Sequence, residues 1–116
     1  MTANAQVAVV GGGLVGRIAA IVAARAGLET VHVAPPSPPD RRTSALMMPS
    51  INVLGELGLL DSPQEIGVAL AGIRIIDATQ RLFRAPEILF EASEHGMEAF
   101  GWNIANAALA EKLEAI

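Results

Sequence analysis

Three glycines near the start of the chain have the spacing of a ligand-binding motif. Gly11, Gly13 and Gly16 form the pattern G-x-G-x-x-G after an apolar run and before a helix-forming one, which is typical of a turn that binds the diphosphate of a dinucleotide. Gly11 turns the chain, Gly13 leaves bare backbone where a diphosphate approaches, and Gly16 lets helix and strand pack closely. We expect the amide of Leu14 to face the phosphates, whose charge the helix dipole favours.

The acidic residue that usually completes this motif by binding the ribose is missing. It is expected about 20 residues further on, where this chain has Ala34. Asp40 is separated from that point by four prolines, and Glu29 lies at the wrong end of the strand. The pair Arg41 and Arg42 either grips a phosphate bidentately or forms a solvated basic turn beside Asp40. Spacing alone leaves both interpretations open.

The elements that must position this turn are indicated by the hydrophobic periodicity. Residues 6–10 form a short apolar run that predicts a strand buried on both faces, and residues 30–33 predict a second strand. Between them, residues 14–26 are rich in helix formers and apolar nearly all round. Arg17 and Arg25 on this helix are expected to reach for solvent. Together these segments predict a βαβ unit with parallel strands.

Two further helices are expected beyond this unit. The proline-rich residues 35–40 predict a stiff surface loop. A helix that covers the same sheet is expected to begin near Pro49 and to end at residues 58–61. A last helix, capped by Asn106, is expected to run to the final residue, so that the unit is incomplete at its C-terminal end.

The segment between these helices has a different pattern. Residues 72–77, 81–84 and 88–91 alternate apolar and polar side chains more than they repeat at helical spacing. Such alternation is typical of strands with one solvated face. We therefore predict three antiparallel strands here.

The composition limits the classes of protein to consider. A chain of 116 residues allows one domain, and a net charge of -4 without a basic stripe argues against nucleic acid as a partner. The chain has no Cys, and its two His are isolated, so we expect neither disulfides nor a metal site. The apolar residues 7–24 contain three consecutive glycines and Arg17, so we expect a cytoplasmic protein without a transmembrane segment.

Four segments that span nearly the whole chain resemble one enzyme family. They are VAVVGGGLVGRIAAIVAARAG, DRRTSALMMPSINVLGELGLLD, the strands GIRIID and ILFEASE, and FGWNIANAALAEKLEAI. The chain resembles the N-terminal portion of the FAD-dependent aromatic hydroxylases. It is nearest to the ubiquinone-biosynthesis hydroxylases of the 2-polyprenyl-6-methoxyphenol hydroxylase type, which are related to p-hydroxybenzoate hydroxylase. The first segment is shared by many flavin and nicotinamide proteins, whereas the second and fourth are more particular to this family.

The resemblance implies both a fold and a function. The fold would be α/β: a Rossmann-like βαβ FAD-binding unit with additional antiparallel strands, incomplete at the C-terminus, whose strands in 68–104 join the substrate-side sheet. The function would be hydroxylation of an aromatic or quinol ring with O2 and NAD(P)H. FAD would carry the chemistry, and the protein would orient the reacting groups and exclude water. Later motifs of the family are missing, so the chain alone is expected to be inactive, and we assign no catalytic residue.

The resemblance also assigns cofactor contacts. The glycine turn would hold the FAD pyrophosphate, and an arginine that lies near the flavin in the family matches Arg42. Asn106 matches an asparagine that many members follow with a basic residue, where this chain has Ala107. With Ala34, this makes two departures at cofactor contacts. The expected cofactor-binding residues are Gly11, Gly13, Leu14, Gly16, Ala34, Arg42 and Asn106.

Two other functions compete with this interpretation. One is an NAD(P)-binding dehydrogenase domain in which Arg41 or Arg42 accepts a 2′-phosphate. The other is a non-catalytic remnant that has lost cofactor binding, as Ala34 and Ala107 suggest, and that forms a homodimer through exposed apolar edges. The dehydrogenase hypothesis does not explain the three predicted antiparallel strands.

Overall fold

A computed structural model describes residues 4–116 and shows a mixed arrangement of helices and open sheets. One parallel pair of strands and two antiparallel sheets are present. In chain order the elements are β1 (Val7–Val10), α1 (Leu14–Arg25), β2 (Thr30–Val33), β3 (Thr43–Met47), α2 (Met48–Glu56), β4 (Gly67–Leu70), β5 (Gly72–Ile75), β6 (Ile88–Glu91), β7 (Gly101–Ala105) and α3 (Asn106–Glu114). The predicted α/β class is confirmed.

The first three elements form the predicted βαβ unit. β1 and β2 pair in parallel, in register from Val7 beside Thr30 to Val10 beside Val33. Helix α1 connects them and packs on both strands. Gly27 follows the helix with φ of 85°, a left-handed conformation that glycine adopts without steric cost. The parallel pairing predicted from the periodicity is therefore confirmed.

A three-stranded antiparallel sheet is separate from the sheet of the βαβ unit. Strand β7 lies in its centre, between β3 and β4. The strand β3 was not expected from the sequence, and it leads directly into α2. Helix α2 contacts β3 and β7, so the expectation that it covers the sheet of the βαβ unit was wrong. Pro49 lies in its first turn, as expected, and Gly58 follows it with φ of 67°.

The strands β5 and β6 pair antiparallel and form a separate two-stranded arm. Two of the three predicted strands are thereby confirmed, but residues 81–84 lie in bends and coil, so the third was wrong. The carboxylate of Asp77 instead accepts hydrogen bonds from the amides of Thr79 and Ala85, at 3.0 and 2.9 Å, and so shapes the connection. The arm makes the molecule long: its radius of gyration is 18.5 Å, against about 13 Å for a compact domain of this size.

The hydrophobic core lies where α2, β7 and α3 meet. Its buried members are Ile51, Leu54, Leu59, Leu60, Ile104, Leu109 and Leu113, and α1 packs against them through Leu14, Ile18 and Ile21. Burial of each such side chain stabilises the fold by about 1.5–3 kcal/mol. The core therefore fixes the start of α3 relative to the glycine turn at the start of α1. Among residues 4–116, no helix has the length and apolar character that a membrane crossing needs.

Candidate functional site

The glycine turn joins β1 to α1, and each glycine has a distinct environment. Gly11 has φ of 131°, a conformation that other residues rarely adopt, and its amide donates to the carbonyl of Val33 at 2.9 Å. A Cβ on Gly16 would collide with the carbonyl oxygen of Gly11. Gly16 therefore lets α1 approach the turn itself. A Cβ on Gly13, in contrast, would meet no described atom within 4 Å, so this backbone faces open space.

The end of β2 lies against the same turn. A Cβ on Gly12 would stand 2.9 Å from the Cβ of Ala34, so two small residues permit this contact. Ala34 is the position at which the sequence motif lacks its ribose-binding acid. It is exposed beside the glycine turn, but its methyl group cannot accept a hydrogen bond from a sugar.

A cleft of about 280 Å³ opens at the glycine turn, between the proline-rich loop and α3. The helices α1 and α3 both begin at this cleft, and within residues 4–116 no side chain caps either of them. The backbone amide of Asn106 in α3 donates to the carbonyl of Arg42 at 3.0 Å, whereas the first-turn amides of α1 keep hydrogen-bonding capacity for an anion. The residues that line the cleft are Gly12, Gly13, Leu14, Arg17, Ser37, Pro38, Pro39, Asp40, Asn106, Ala107, Ala110, Glu111 and Glu114.

Asp40 is the centre of a hydrogen-bonded network on one wall of the cleft. The guanidinium of Arg42 donates to its two carboxylate oxygens at 2.9 and 3.0 Å, and the side-chain amide of Asn106 donates at 2.9 Å. Asn106, 7% exposed, also accepts from the hydroxyl of Ser44 at 2.6 Å. Hydrogen bonds from Arg42 and then Asn106 hold the pKa of Asp40 well below its usual range.

The structure brings several of the predicted site residues together. Gly13, Leu14 and Asn106 line the cleft, and Gly11 and Gly16 form the turn beside Gly13. Their role in binding a cofactor stays a prediction.

Two other expectations for this region need qualification. Asn106 is the first residue of α3 and does not cap it, because Ala105 occupies the cap position. Arg42 does not line the cleft: it is 83% exposed and paired with Asp40. This pairing corresponds to the basic turn beside Asp40 that spacing allowed, and the role of Arg42 in binding a cofactor stays a prediction.

Two side chains that line the cleft were not expected there. Four prolines separate Asp40 from β2, yet the loop returns Asp40 to the glycine turn. Arg17 was expected to reach for solvent, but its side chain is only 28% exposed. Arg17 donates through Nε to the carbonyl of Gly12 at 3.0 Å and pairs with Glu114 at 2.6 Å. No local sequence signal points to such long-range partners.

The charges around the cleft are unequal. Among the described residues that line it, Arg17 is the one cation, and Asp40, Glu111 and Glu114 are acids. Arg42 compensates Asp40 from the rim. Among residues 4–116 there is no group of three His, Cys, Asp or Glu side chains that could hold a metal ion. An anion in this cleft would therefore depend on backbone amides and on Arg17.

The fold and cleft define an α/β protein with a candidate anion site at a glycine turn. The fold is similar to that of p-nitrophenol 4-monooxygenase PnpA from Pseudomonas putida DLL-E4, with a TM-score of 0.69, 23% sequence identity and coverage of 94% of this chain. The match covers 27% of that enzyme, so the chain spans about a quarter of its length. No protein-family model and no curated protein sequence matches the chain. The likeness establishes a shared fold.

Proposed function

We propose that this chain is the FAD-binding N-terminal portion of a flavin-dependent monooxygenase that hydroxylates an aromatic or quinol ring with O2 and NAD(P)H. The observation that carries the proposal is the bare backbone of Gly13, which opens into a cleft at which two uncapped helices begin. The fold shared with part of a monooxygenase supports it. The assignment to the ubiquinone-biosynthesis type rests on the sequence resemblance alone.

The residues of the cleft fit the diphosphate of FAD. The amides of Gly13 and Leu14 would hold it, because Gly13 leaves the space in front of the backbone free and the dipole of α1 favours negative charge. Arg42 would lie toward the flavin, and Asn106 would fix the facing wall. Ala34 would leave the ribose without a carboxylate partner, which predicts weaker adenosine recognition than in a complete motif.

In this proposal, the described residues bind and orient FAD. None of them is assigned as an acid, a base or a nucleophile. When bound, FAD supplies the redox chemistry with O2 and NAD(P)H. The residues that bind the substrate ring and the rest of the active site would lie outside this portion, since the p-nitrophenol 4-monooxygenase with the similar fold is several times longer.

The proposal is tested by titrating the purified 116-residue chain with FAD and following flavin fluorescence. We expect saturable binding that Gly13→Val weakens at least tenfold, about 1.4 kcal/mol, because its methyl groups fill the space needed by the diphosphate. Gly13 has φ of -71°, which any residue adopts, so the variant should remain folded. Gly55→Ala in α2 is the matched control, since its Cβ would make only an ordinary contact with the Leu60 carbonyl oxygen, at 3.8 Å, and its affinity should equal that of the wild type.

Two outcomes would overturn the proposal. One is that the wild-type chain binds no FAD at millimolar concentration, and the other is that Gly13→Val binds FAD as tightly as the wild type. NADPH binding without FAD binding would favour the dehydrogenase alternative instead. Binding of neither ligand, together with a dimer on sedimentation, would favour the remnant.

A further inference from the structure

Arg17 and Glu114 both lie at helix ends where their charges are unfavourable. Arg17 is in the first turn of α1, where the helix dipole disfavours a cation, and Glu114 is the last residue of α3, where it disfavours an anion. The two side chains pair at 2.6 Å across 97 residues of chain. Pairing offsets both disadvantages, but it does not explain why charged residues occupy these positions.

The guanidinium of Arg17 is oriented toward the cleft by a second contact. Its Nε donates to the carbonyl of Gly12 at 3.0 Å, which fixes the planar group beside the bare backbone of Gly13. Its Nη1 is the atom that pairs with Glu114. A fixed guanidinium with its fork at the edge of a cleft matches the geometry of bidentate phosphate recognition.

Glu114 is an exchangeable partner for this guanidinium. Its side chain is 61% exposed, and an ion pair with such an exposed carboxylate contributes little to stability because water screens it. A diphosphate carries more charge than one carboxylate and offers several acceptor oxygens. We therefore expect the guanidinium of Arg17 to bind a phosphate more strongly than it binds the carboxylate of Glu114.

We propose that Arg17 binds the diphosphate of the cofactor and that Glu114 is the counter-ion that the phosphate displaces. This inference rests on the proposed function. The charge distribution requires such a group: without Arg17, a diphosphate in the cleft would face the carboxylates of Asp40, Glu111 and Glu114 with no cation among the described lining residues. Displacement leaves the Gly12 contact in place, so Arg17 keeps its orientation while it changes partner.

The test measures binding of ADP, which has the diphosphate without the flavin, to the 116-residue chain by calorimetry. We expect Arg17→Gln to weaken ADP and FAD binding about tenfold or more, because a charge-assisted contact is lost. The affinity for ADP should also depend less steeply on salt in this variant, since one ionic contact fewer is made. Binding of riboflavin, which has no phosphate, should not change.

Glu114→Gln should have the opposite effect and tighten ADP binding, because it frees Arg17 from its competitor. The matched control is Glu111→Gln, which removes one negative charge from the same cleft without touching the ion pair. It should tighten binding less than Glu114→Gln does. In the double variant Arg17→Gln/Glu114→Gln, the gain from Glu114→Gln should disappear.

A structural role for the ion pair predicts a different result. If the pair only clamps α1 to α3, both single variants lower the urea midpoint and weaken ADP binding together, and that outcome would overturn the inference. Wild-type binding that Arg17→Gln leaves unchanged would overturn the role of Arg17 and leave the proposed function standing. Absence of ADP and FAD binding by the wild type would remove both proposals.

Discussion

The side-chain amide of Asn106 donates to the carboxylate of Asp40 across 2.9 Å, although the two residues are 66 positions apart in the chain. The contact joins the proline-rich loop to the first residue of α3. In addition, the backbone amide of Asn106 donates to the carbonyl of Arg42 at 3.0 Å. Because the core fixes α3 relative to α1, these bonds hold the loop opposite the glycine turn. The width of the cleft therefore depends on this pair.

Replacement of Asn106 is expected to destabilise the whole fold. Asn106→Ala removes the bonds to Asp40 and Ser44 and leaves the partly buried hydroxyl of Ser44 without its acceptor. Loss of such partners costs about 1–3 kcal/mol of the free energy of unfolding. Urea unfolding monitored by the single Trp measures it, since Trp102 lies in β7 next to the core. Glu111→Gln on the exposed face of α3 should stay within about 0.5 kcal/mol, and an equal midpoint for both variants would contradict the prediction.

The carboxylate of Asp40 should make stability depend on pH in the acid range. Its folded-state pKa is lowered, first by the hydrogen bond from Arg42 and next by that from Asn106. The stabilisation is therefore fully present above the unfolded pKa of about 3.9 and is lost as pH falls toward the folded value. In urea unfolding from pH 7 to 2.5, the difference between wild type and Asp40→Asn should be constant above about pH 5 and shrink below it.

Arg42→Gln provides the control for this pH dependence. It removes the largest cause of the lowered pKa while leaving the Asp40 carboxylate in place. The variant should therefore show a flatter loss of stability in acid than the wild type. A difference between wild type and Asp40→Asn that stays the same over the whole pH range would show that the charge of Asp40 has no part in holding the loop.

The glycines of the turn should respond differently to a methyl group. Gly16→Ala forces its Cβ onto the carbonyl oxygen of Gly11, which is backbone and cannot yield without moving the turn. Overpacking of this kind costs about 1–3 kcal/mol. Gly13→Ala meets open space and should change the free energy of unfolding by less than about 1 kcal/mol at this N-cap position. Equal urea midpoints for the two variants would mean that α1 does not pack on the turn as described.

The βαβ unit could be predicted because its signals are local. Apolar β-branched runs, a helix-forming stretch and three glycines specify β1, α1 and the turn within a few residues of each other. The three-stranded sheet could not be predicted in this way. Strand β3 is recognised only through its pairing with β7, in which Thr43 lies beside Ala105, and that pairing depends on tertiary packing. Residues 81–84 show the converse, since they alternate like a strand but pair with no strand among residues 4–116.

The same distinction explains the candidate site. The glycine spacing predicted the bare backbone at Gly13, because that signal lies within the motif. Glu114, which pairs with Arg17, and Asn106, which donates to Asp40, lie on α3, far along the chain, and only the fold brings them to their partners. Sequence distance was misleading for Asp40 in particular, because a loop rich in proline can still return to its starting point.

The β5–β6 arm is expected to drive self-association. Leu82 and Phe83 at its end are 91% and 88% exposed. In the part of the chain that the structure describes, each strand of the arm also has one unpaired edge, which favours contact between copies. In sedimentation velocity over a concentration series, the wild type should form dimers, and Leu82→Ser/Phe83→Ser should shift the equilibrium toward monomer. The free energy of unfolding should change by less than about 0.5 kcal/mol, since these side chains pack on nothing in the core. Val15→Ser, at an apolar residue of α1 that is 82% exposed, should associate like the wild type; a monomeric wild type, or a dimer unaffected by the double variant, would exclude the arm as the interface.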